Sequence, residues 1–375
     1  MGASDKLPTV WNYEPHTKAK HAILRAYLTA WFPILASIKK AKRVLFLDGF
    51  AGPGEYTKGE PGSPAIAMQT ALEHTARFEV PVSLVFIEAD KERHAHLCGV
   101  IDRLRPAVAS ASNRINVRAP INGDCSIELD RALKTYETQR TEFGPALVFL
   151  DQFGYSDVPM SLIKRVMAQP RCEVFAYLHA EGMTRFLKKA DIQAAVSDAF
   201  GSEDWRRALA VRQADRARVL AEEYERALRE RAGAKYVWRF AMHGSDGVLI
   251  YWLFFCTNER KGLEVMKDAM RKVDTSGGHF SFSDARSPDQ LLMFVRCNDE
   301  WLGAHLREHF GGRDVTVGDI EEYVVTSTPL VACRLVLADL ERRNLVSIPA
   351  PPAERRKGSF KEPKMTVRFP STSKS

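Results

Sequence analysis

An acidic residue and a glycine-rich turn directly follow an apolar run near the amino end of the chain. The segment RVLFLDGFAGPGEY, residues 43–56, places Asp48, Phe50, Gly52 and Gly54 after that run. The run predicts a buried strand, and ligands bind at the carboxyl ends of strands in open parallel sheets. Glycine lets the backbone approach a ligand where a Cβ atom would clash. An acid before the turn suits a cation, such as the ammonium group of a methionine moiety, better than a pyrophosphate.

Two further acids follow the next two predicted strands. Glu88 ends the run in VSLVFIEAD, residues 82–90, where a carboxylate can accept hydrogen bonds from both hydroxyls of a ribose. Asp124 follows the third predicted strand, in INGDCS, and could accept from an adenine amino group. Asp124 is equally suited to be the N-cap of the next helix, so both interpretations stay open. With the glycine turn, these acids predict a nucleoside-binding edge.

The catalytic candidates are Asp151, Gln152 and Phe153, in FLDQFG at the end of the fourth predicted strand. Amino-methyltransferases carry Asp/Asn-Pro-Pro-aromatic or Asp-Pro-Phe-Gly at this position. There the acid or a carbonyl binds the target amine, and the aromatic ring stacks on the base. Gln152 replaces the proline and loosens a turn that is otherwise rigid. Phe153 is either a stacking residue or part of the core.

Polar residues elsewhere are weaker candidates. His16, Lys18 and His21 belong to a helix predicted over residues 16–39, and without an acid or cysteine at ligand spacing we expect them at the surface. His179 and Glu181 follow the fifth predicted strand and could line a substrate cleft at the same edge.

The order of elements predicts an α/β fold. Strands and helices alternate from residue 43 to 180, which indicates a doubly wound, Rossmann-like parallel sheet. Two more strands flank HGSDG within residues 235–257, and a terminal hairpin of this kind is typical of class I methyltransferases, whose last strand inserts antiparallel. Residues 183–231 predict a helical insertion. We expect one methyltransferase-like domain over residues 1–300.

The last segment predicts a winged-helix domain over residues 301–375. Its pattern gives helices at 316–326 and 330–343, followed by strands at 345–349 and 364–369 and a disordered tail. The net charge of +7 favours a polyanionic partner. We expect nucleic acid to bind this wing through its basic residues, namely Arg355, Arg356, Lys357 and Lys361.

Composition excludes several other classes of protein. The 375 residues contain no apolar stretch long enough for a membrane span and no secretory signal. Six cysteines are scattered without a CxxC pair, so we expect free thiols, no metal site and a cytoplasmic location.

Several segments together resemble the three-Cys-motif partner family, TcmP. They cover most of residues 11–369: HTKAKHAILRAYLTAWFPIL, FLDGFAGPGEYTKGEPGSPAIA, VFIEAD, FLDQFG, FGSEDWRRAL, GLEVMKDAMRKVD and the winged-helix pattern. The resemblance implies a class I methyltransferase fold and a pocket for S-adenosylmethionine (SAM) at Asp48, Phe50, Gly52, Gly54 and Glu88. It also implies a role for Asp151 and Phe153 at the catalytic edge, and a separate partner protein with a three-cysteine, radical-SAM-like iron–sulfur cluster.

Two functions follow from these observations. The first is a SAM-dependent methyltransferase acting on nucleic acid, with transfer to an exocyclic amine of a base. The alternative is a non-catalytic adaptor, which keeps the fold and the winged helix and presents a surface to the iron–sulfur partner.

Overall fold

The computed structural model describes residues 8–38, 41–111, 114–152, 158–185, 187, 189–276, 280–283, 298–349 and 355–371. The chain divides into two compact units. We call Met1–Val273 with Ser281–Arg286 the sheet unit, and Asp274–Phe280 with Ser287–Ser375 the carboxyl-terminal unit.

A large, mostly parallel sheet forms the centre of the sheet unit. Its described strands are β1 Val44–Asp48, β2 Val82–Glu88, β3 Ile115–Val117, β4 Ile121–Asn122, β5 Ala146–Leu150, β6 Cys172–Leu178, β7 Tyr236–His243, β8 Leu249–Thr257 and β9 Ser281–Ser283. They lie in the order β3-β2-β1-β5-β6-β8-β7-β9, with β4 also paired to β2. β8 runs antiparallel to both β6 and β7, as the predicted terminal hairpin requires. This arrangement is consistent with a Rossmann-like methyltransferase, and the α/β prediction is confirmed at that level.

Helices cover both faces of the sheet. They are α1 Pro15–Ala36, α2 Ser63–Leu72, α3 Lys91–Ala109, α4 Cys125–Gln139, α5 Met160–Met167, α6 Ala180–Thr184, α7 Ala190–Phe200, α8 Gln213–Glu230 and α9 Arg260–Arg271, with a 3-10 helix at Asp204–Ala210. On one face, Leu45 and Leu47 of β1 share a buried cluster with Leu129 of α4. On the other face, Tyr27 of α1 packs against Phe255 of β8 with ring centroids 5.1 Å apart.

The chain changes direction across the sheet at β1. β1 pairs with β2 on one side and with β5 on the other, both parallel, and Asp48 is level with Phe86 and Phe149. From β1 the chain passes through α2 to β2 on one side, and it later returns through α4 to β5 on the other side. In open α/β sheets, ligands bind at the carboxyl ends of the strands at such a point. The acids predicted from the sequence follow these same strand ends.

The third predicted strand is shorter than its apolar pattern suggests. Residues 115–124 form two short strands, β3 and β4, on either side of Pro120. Proline has no backbone N–H to give to the strand ladder, which accounts for the interruption. β4 still pairs with the end of β2, so Asn122 lies level with Glu88.

The carboxyl-terminal unit contains helices and a small sheet. Its described elements are α10 Asp299–Phe310, β10 Asp314–Thr316, α11 Val317–Ser327, α12 Arg334–Arg342 and β11 Thr366–Arg368. β11 pairs antiparallel with β10, a strand that the sequence pattern did not predict. The prediction of a continuous strand over residues 345–349 is wrong. Within this described segment, Ser347 forms an isolated bridge to Arg368.

The described cysteines, at positions 98, 125, 172, 256 and 333, are free. Within the described ranges, no helix combines the length and the hydropathy needed to cross a membrane.

Candidate functional site

Asp48 is a buried carboxyl group at the point where the sheet changes direction. Its residue is 0 % exposed, and its Oδ1 accepts a hydrogen bond from the Phe50 N–H at 3.1 Å. Its Oδ2 is buried and has no hydrogen bond of normal geometry from any described residue. Burial raises the pKa of Asp48 to about 7. The charge of Asp151 adds to this, while Ser63, the Phe50 N–H and Lys20 oppose it. Oδ2 is therefore a buried acceptor whose capacity the described residues do not fully use, and it is not open to solvent in this structure.

The glycine turn, which contains Gly52 and Gly54, directly follows Asp48 in the chain. Gly52 has φ +62°, a region that favours glycine, and a Cβ atom there would lie 3.7 Å from the ring of Trp11. The requirement for glycine at Gly54 has a different origin. With φ +86°, a Cβ atom at Gly54 would lie 2.9 Å from Leu97 of α3. Packing against α3 is therefore enough to explain Gly54, and its role as a cofactor contact stays a prediction.

Glu88 links the end of β2 to this turn. Its residue is 7 % exposed, its Oε2 accepts from the Gly52 N–H at 2.9 Å, and its Oε1 accepts from the Asp90 N–H at 2.8 Å. Arg93 Nε lies 3.3 Å from Oε1. A carboxylate has about four acceptor positions. Glu88 thus holds the turn in place and keeps acceptor capacity for a ligand hydroxyl.

Asp124 lies beyond Glu88 at the start of α4. It is exposed and caps the helix by accepting from the Ile127 N–H at 3.1 Å. The N-cap interpretation is therefore realised, and the adenine contact stays a prediction. The loop before it is tied to β2, because Asn122 Nδ2 donates to the Glu88 carbonyl at 3.0 Å.

Asp151 forms an ion pair with Lys20, a residue that the sequence analysis did not single out. Lys20 Nζ of α1 contacts Asp151 Oδ2, with side chains that are 8 % and 14 % exposed. The ammonium also lies 5.8 Å from the ring centroids of both Tyr177 and Tyr251, which suits cation–π attraction. The sequence did contain a signal that Lys20 is buried. Ile23 and Leu24 follow it at spacings of three and four residues, which places Lys20 on the apolar face of α1.

Gln152 is buried beside Asp151, and Phe153 lies outside the described residues. Gln152 is 5 % exposed, its Nε2 donates to the Tyr177 carbonyl at 3.4 Å, and its Oε1 has no hydrogen-bond partner among the described residues. Gln152, which stands in place of proline, is therefore hydrogen-bonded to the backbone of Tyr177, the residue whose ring lies beside Lys20.

His21 of α1 belongs to an aromatic cluster with Tyr13 and Tyr56. His21 is 3 % exposed, so the expectation that it lies at the surface is wrong. It is 3.2 Å from the Tyr13 hydroxyl, and its ring packs against Tyr56 at 5.7 Å. Burial holds the pKa of His21 well below its usual value, and the Lys20 ammonium adds to this. Burial also raises the pKa of Tyr56, with further contributions from Asp151, Tyr13 and Asp48.

His179 lines a polar cavity of about 390 Å³ near the ends of β6, β7 and β8. Glu14, His16 and Arg185 also line it, as do residues of the turn between β7 and β8. His16 packs against Tyr251 at 5.7 Å, which connects the cavity to the aromatic rings beside Lys20. The side chain of Glu181 lies outside the described residues.

The four basic residues of the predicted wing differ in availability. Arg356, Lys357 and Lys361 are exposed. Arg355 has a side chain that is 6 % exposed and donates to both carboxylate oxygens of Glu341, at 2.8 and 2.7 Å. Since this guanidinium is buried and already paired, Arg355 cannot reach a phosphate in this structure.

Comparisons with known proteins add little. No family model and no curated protein matches the chain. The chain is similar to the crystal structure of a DUF574 family protein from Streptomyces avermitilis, with 13% identity and a TM-score of 0.31 over 65% of this chain and 88% of that one. A likeness at this TM-score supports neither a shared fold nor a shared activity, so function has to be inferred from the geometry of the site.

Proposed function

We propose that this chain is a SAM-dependent methyltransferase that acts on nucleic acid. The observation that supports this most is Asp48, a fully buried carboxyl group with an unpartnered oxygen at the point where the sheet changes direction. A buried acceptor without a donor costs about 1–3 kcal/mol, and a ligand that donates a hydrogen bond there removes this cost.

The described residues fit the amino-acid and ribose parts of SAM. Asp48 Oδ2 would accept from the ammonium group of the methionine moiety, beside the turn that contains Phe50 and Gly52. Glu88 would accept from a ribose hydroxyl, and Asp124 remains a candidate for the adenine amino group. When bound, SAM supplies a methyl group carried on a sulfonium. Asp151 would accept a hydrogen bond from the target amine and orient its lone pair, which is the role predicted from FLDQFG.

Nucleic acid is proposed as the partner of the carboxyl-terminal unit, as a winged helix. The order α10-β10-α11-α12-β11, with a bridge between Ser347 and Arg368, supports this interpretation. Exposed Arg356, Lys357 and Lys361 would neutralise phosphates without reading sequence. Arg355 is left out of this set because of its ion pair with Glu341.

The TcmP identity and the iron–sulfur partner protein are also proposals. Both depend on the sequence segments that resemble the family, such as FLDGFAGPGEYTKGEPGSP. Co-purification with a candidate three-cysteine protein from the same cell, followed by iron analysis of the complex, is the direct test of the partner.

Calorimetric titration with SAM tests the cofactor. We expect the wild-type chain to bind, and Glu88→Gln to bind roughly tenfold more weakly, since the amide keeps one acceptor oxygen and loses the charge that strengthens these hydrogen bonds by ~1.5 kcal/mol. Glu79→Gln is the matched control, because Glu79 is exposed in a loop between α2 and β2. Equal affinities for all three proteins would contradict the role of Glu88.

Salt dependence tests the nucleic-acid proposal. The triple change of Arg356, Lys357 and Lys361 to Gln should weaken duplex DNA or RNA binding. It should also flatten the plot of log K against log salt by about 0.9 for each phosphate that the variant no longer neutralises. A control protein loses the same charge from exposed Lys42, Arg77 and Arg114 of the sheet unit. Identical slopes for the two variants would refute the proposed wing contacts.

The adaptor function is the second candidate, and the ion pair between Lys20 and Asp151 favours it. A carboxylate that is already neutralised is not free to orient a target amine. Single-turnover incubation with labelled SAM and pooled DNA or RNA separates the two functions. Label transfer that Asp151→Asn abolishes supports the methyltransferase, whereas SAM binding without transfer supports the adaptor.

A further inference from the structure

Lys20 is a buried cation that contacts Asp151 and whose charge also acts on Asp48. Its residue is 6 % exposed. The negative charge of Asp151 acts on Asp48 in the opposite direction. Lys20 is therefore paired with Asp151 by contact and acts on Asp48 through its charge, and Asp48 Oδ2 accepts no hydrogen bond of normal geometry from the described residues.

The amino-acid end of SAM carries an ammonium group and a carboxylate on the same carbon. Its ammonium group suits the unpartnered oxygen of Asp48. Its carboxylate is attached to the same carbon, so it must lie close to Asp48 and Asp151, which repel it. A buried carboxylate needs a cation or several donors, and among the described residues Lys20 is the cation that contacts Asp151.

We propose that Lys20 is a cofactor-binding residue that exchanges Asp151 for the carboxylate of the methionine moiety when SAM binds. This rests on the proposed methyltransferase function. The exchange has a consequence for Asp151, because loss of its ion pair leaves the carboxylate free to accept a hydrogen bond from a target amine. Cofactor binding would thus prepare the acceptor site, and the paired state described here would be the resting one.

The surroundings of Lys20 suit such an exchange. Tyr177 and Tyr251 lie 5.8 Å from its ammonium, and their own ring centroids are 4.4 Å apart. These aromatic contacts do not depend on which carboxylate is bound, so they hold the ammonium while its anionic partner changes. One carboxylate replaces another of the same charge, and a buried cation is never left unpaired.

Two ligands that differ only in the amino-acid end test the proposal: S-adenosylhomocysteine and 5′-methylthioadenosine. Lys20→Met should weaken binding of S-adenosylhomocysteine about tenfold to a hundredfold, the range for hydrogen bonds to charged groups. Binding of 5′-methylthioadenosine should change by less than about twofold on the same reasoning. Lys18→Met, an exposed lysine of the same helix, is the control. Asp151→Asn should strengthen S-adenosylhomocysteine binding, because Lys20 is then no longer held by a carboxylate.

The outcomes separate the two proposals. If the wild-type chain binds neither ligand, the methyltransferase function fails and this inference fails with it. If it binds both and Lys20→Met weakens both equally or neither, only the role of Lys20 is overturned. If circular dichroism shows that Lys20→Met does not fold, Asp151→Asn decides, since weaker binding of S-adenosylhomocysteine to that variant contradicts the exchange.

Discussion

The buried acid Asp48 should make the sheet unit less stable as pH rises, and Asp48→Asn should remove that dependence. Burial raises its pKa from 3.8 to about 7 in the native chain. Between these values the unfolded chain has released the proton while the native chain retains it, so stability falls with increasing pH. Above pH 7 both states are ionised and the loss is complete. The sign is opposite to that of a carboxylate in a salt bridge.

The size of the effect follows from the two pKa values. Linkage gives a loss of roughly 2 kcal/mol at pH 5 and about 4 kcal/mol at pH 8 relative to the fully protonated state. Asparagine does not titrate, so the stability of Asp48→Asn relative to wild type should increase by about 2–3 kcal/mol between pH 5 and pH 8. Any constant cost of the buried amide cancels in this difference.

Urea unfolding followed by tryptophan fluorescence measures this difference. A Trp301→Phe background leaves tryptophans only in the sheet unit, so the signal reports that unit alone. Asp198→Asn is the matched control, because Asp198 is exposed on α7. A difference between Asp48→Asn and wild type that stays constant from pH 5 to pH 8 would refute the reasoning, since it would mean that Asp48 ionises alike in both states.

Two further predictions concern glycines and the buried ion pair of the carboxyl-terminal unit. Gly262→Ala should destabilise the chain by about 1–3 kcal/mol, because a Cβ atom there would lie 2.2 Å from Glu173 Oε1. Gly99→Ala, also within a helix but with no neighbouring atom nearer than 4.0 Å, should instead stabilise it by ~0.5–1 kcal/mol in the same urea assay. Loss of stability in both variants would contradict this contrast. Arg355→Met should cost about 3 kcal/mol, since it leaves the buried Glu341 carboxylate without its cation and with the Gly358 N–H as a remaining donor, and should leave the salt slope of nucleic-acid binding unchanged. A smaller salt slope of nucleic-acid binding, with an unchanged free energy of unfolding, would instead indicate that Arg355 contacts phosphate.

The local patterns of the sequence determined which elements form and which residues end them. Apolar runs of a few residues bounded by glycine or acid predict buried strands, and the runs before Asp48 and Glu88 form β1 and β2 over nearly the predicted ranges. Since parallel strands end at one edge, the contact between Glu88 and the turn that follows Asp48 could be expected from strand order. Short-range signals of this kind are independent of the rest of the fold.

Only the tertiary structure decided which charges meet. Lys20 and Asp151 are 131 positions apart, and nothing in their separate surroundings indicates that one neutralises the other. Arg355 belongs to a basic stretch that looks exposed, yet Glu341 of α12 removes it from solvent. Residue spacing encodes which face of its own helix or strand a side chain occupies, whereas the identity of its partner depends on how distant elements pack. For that reason residue patterns were enough to predict a nucleoside-binding edge, whereas the donors that reach each of its acids depend on the packing of the fold.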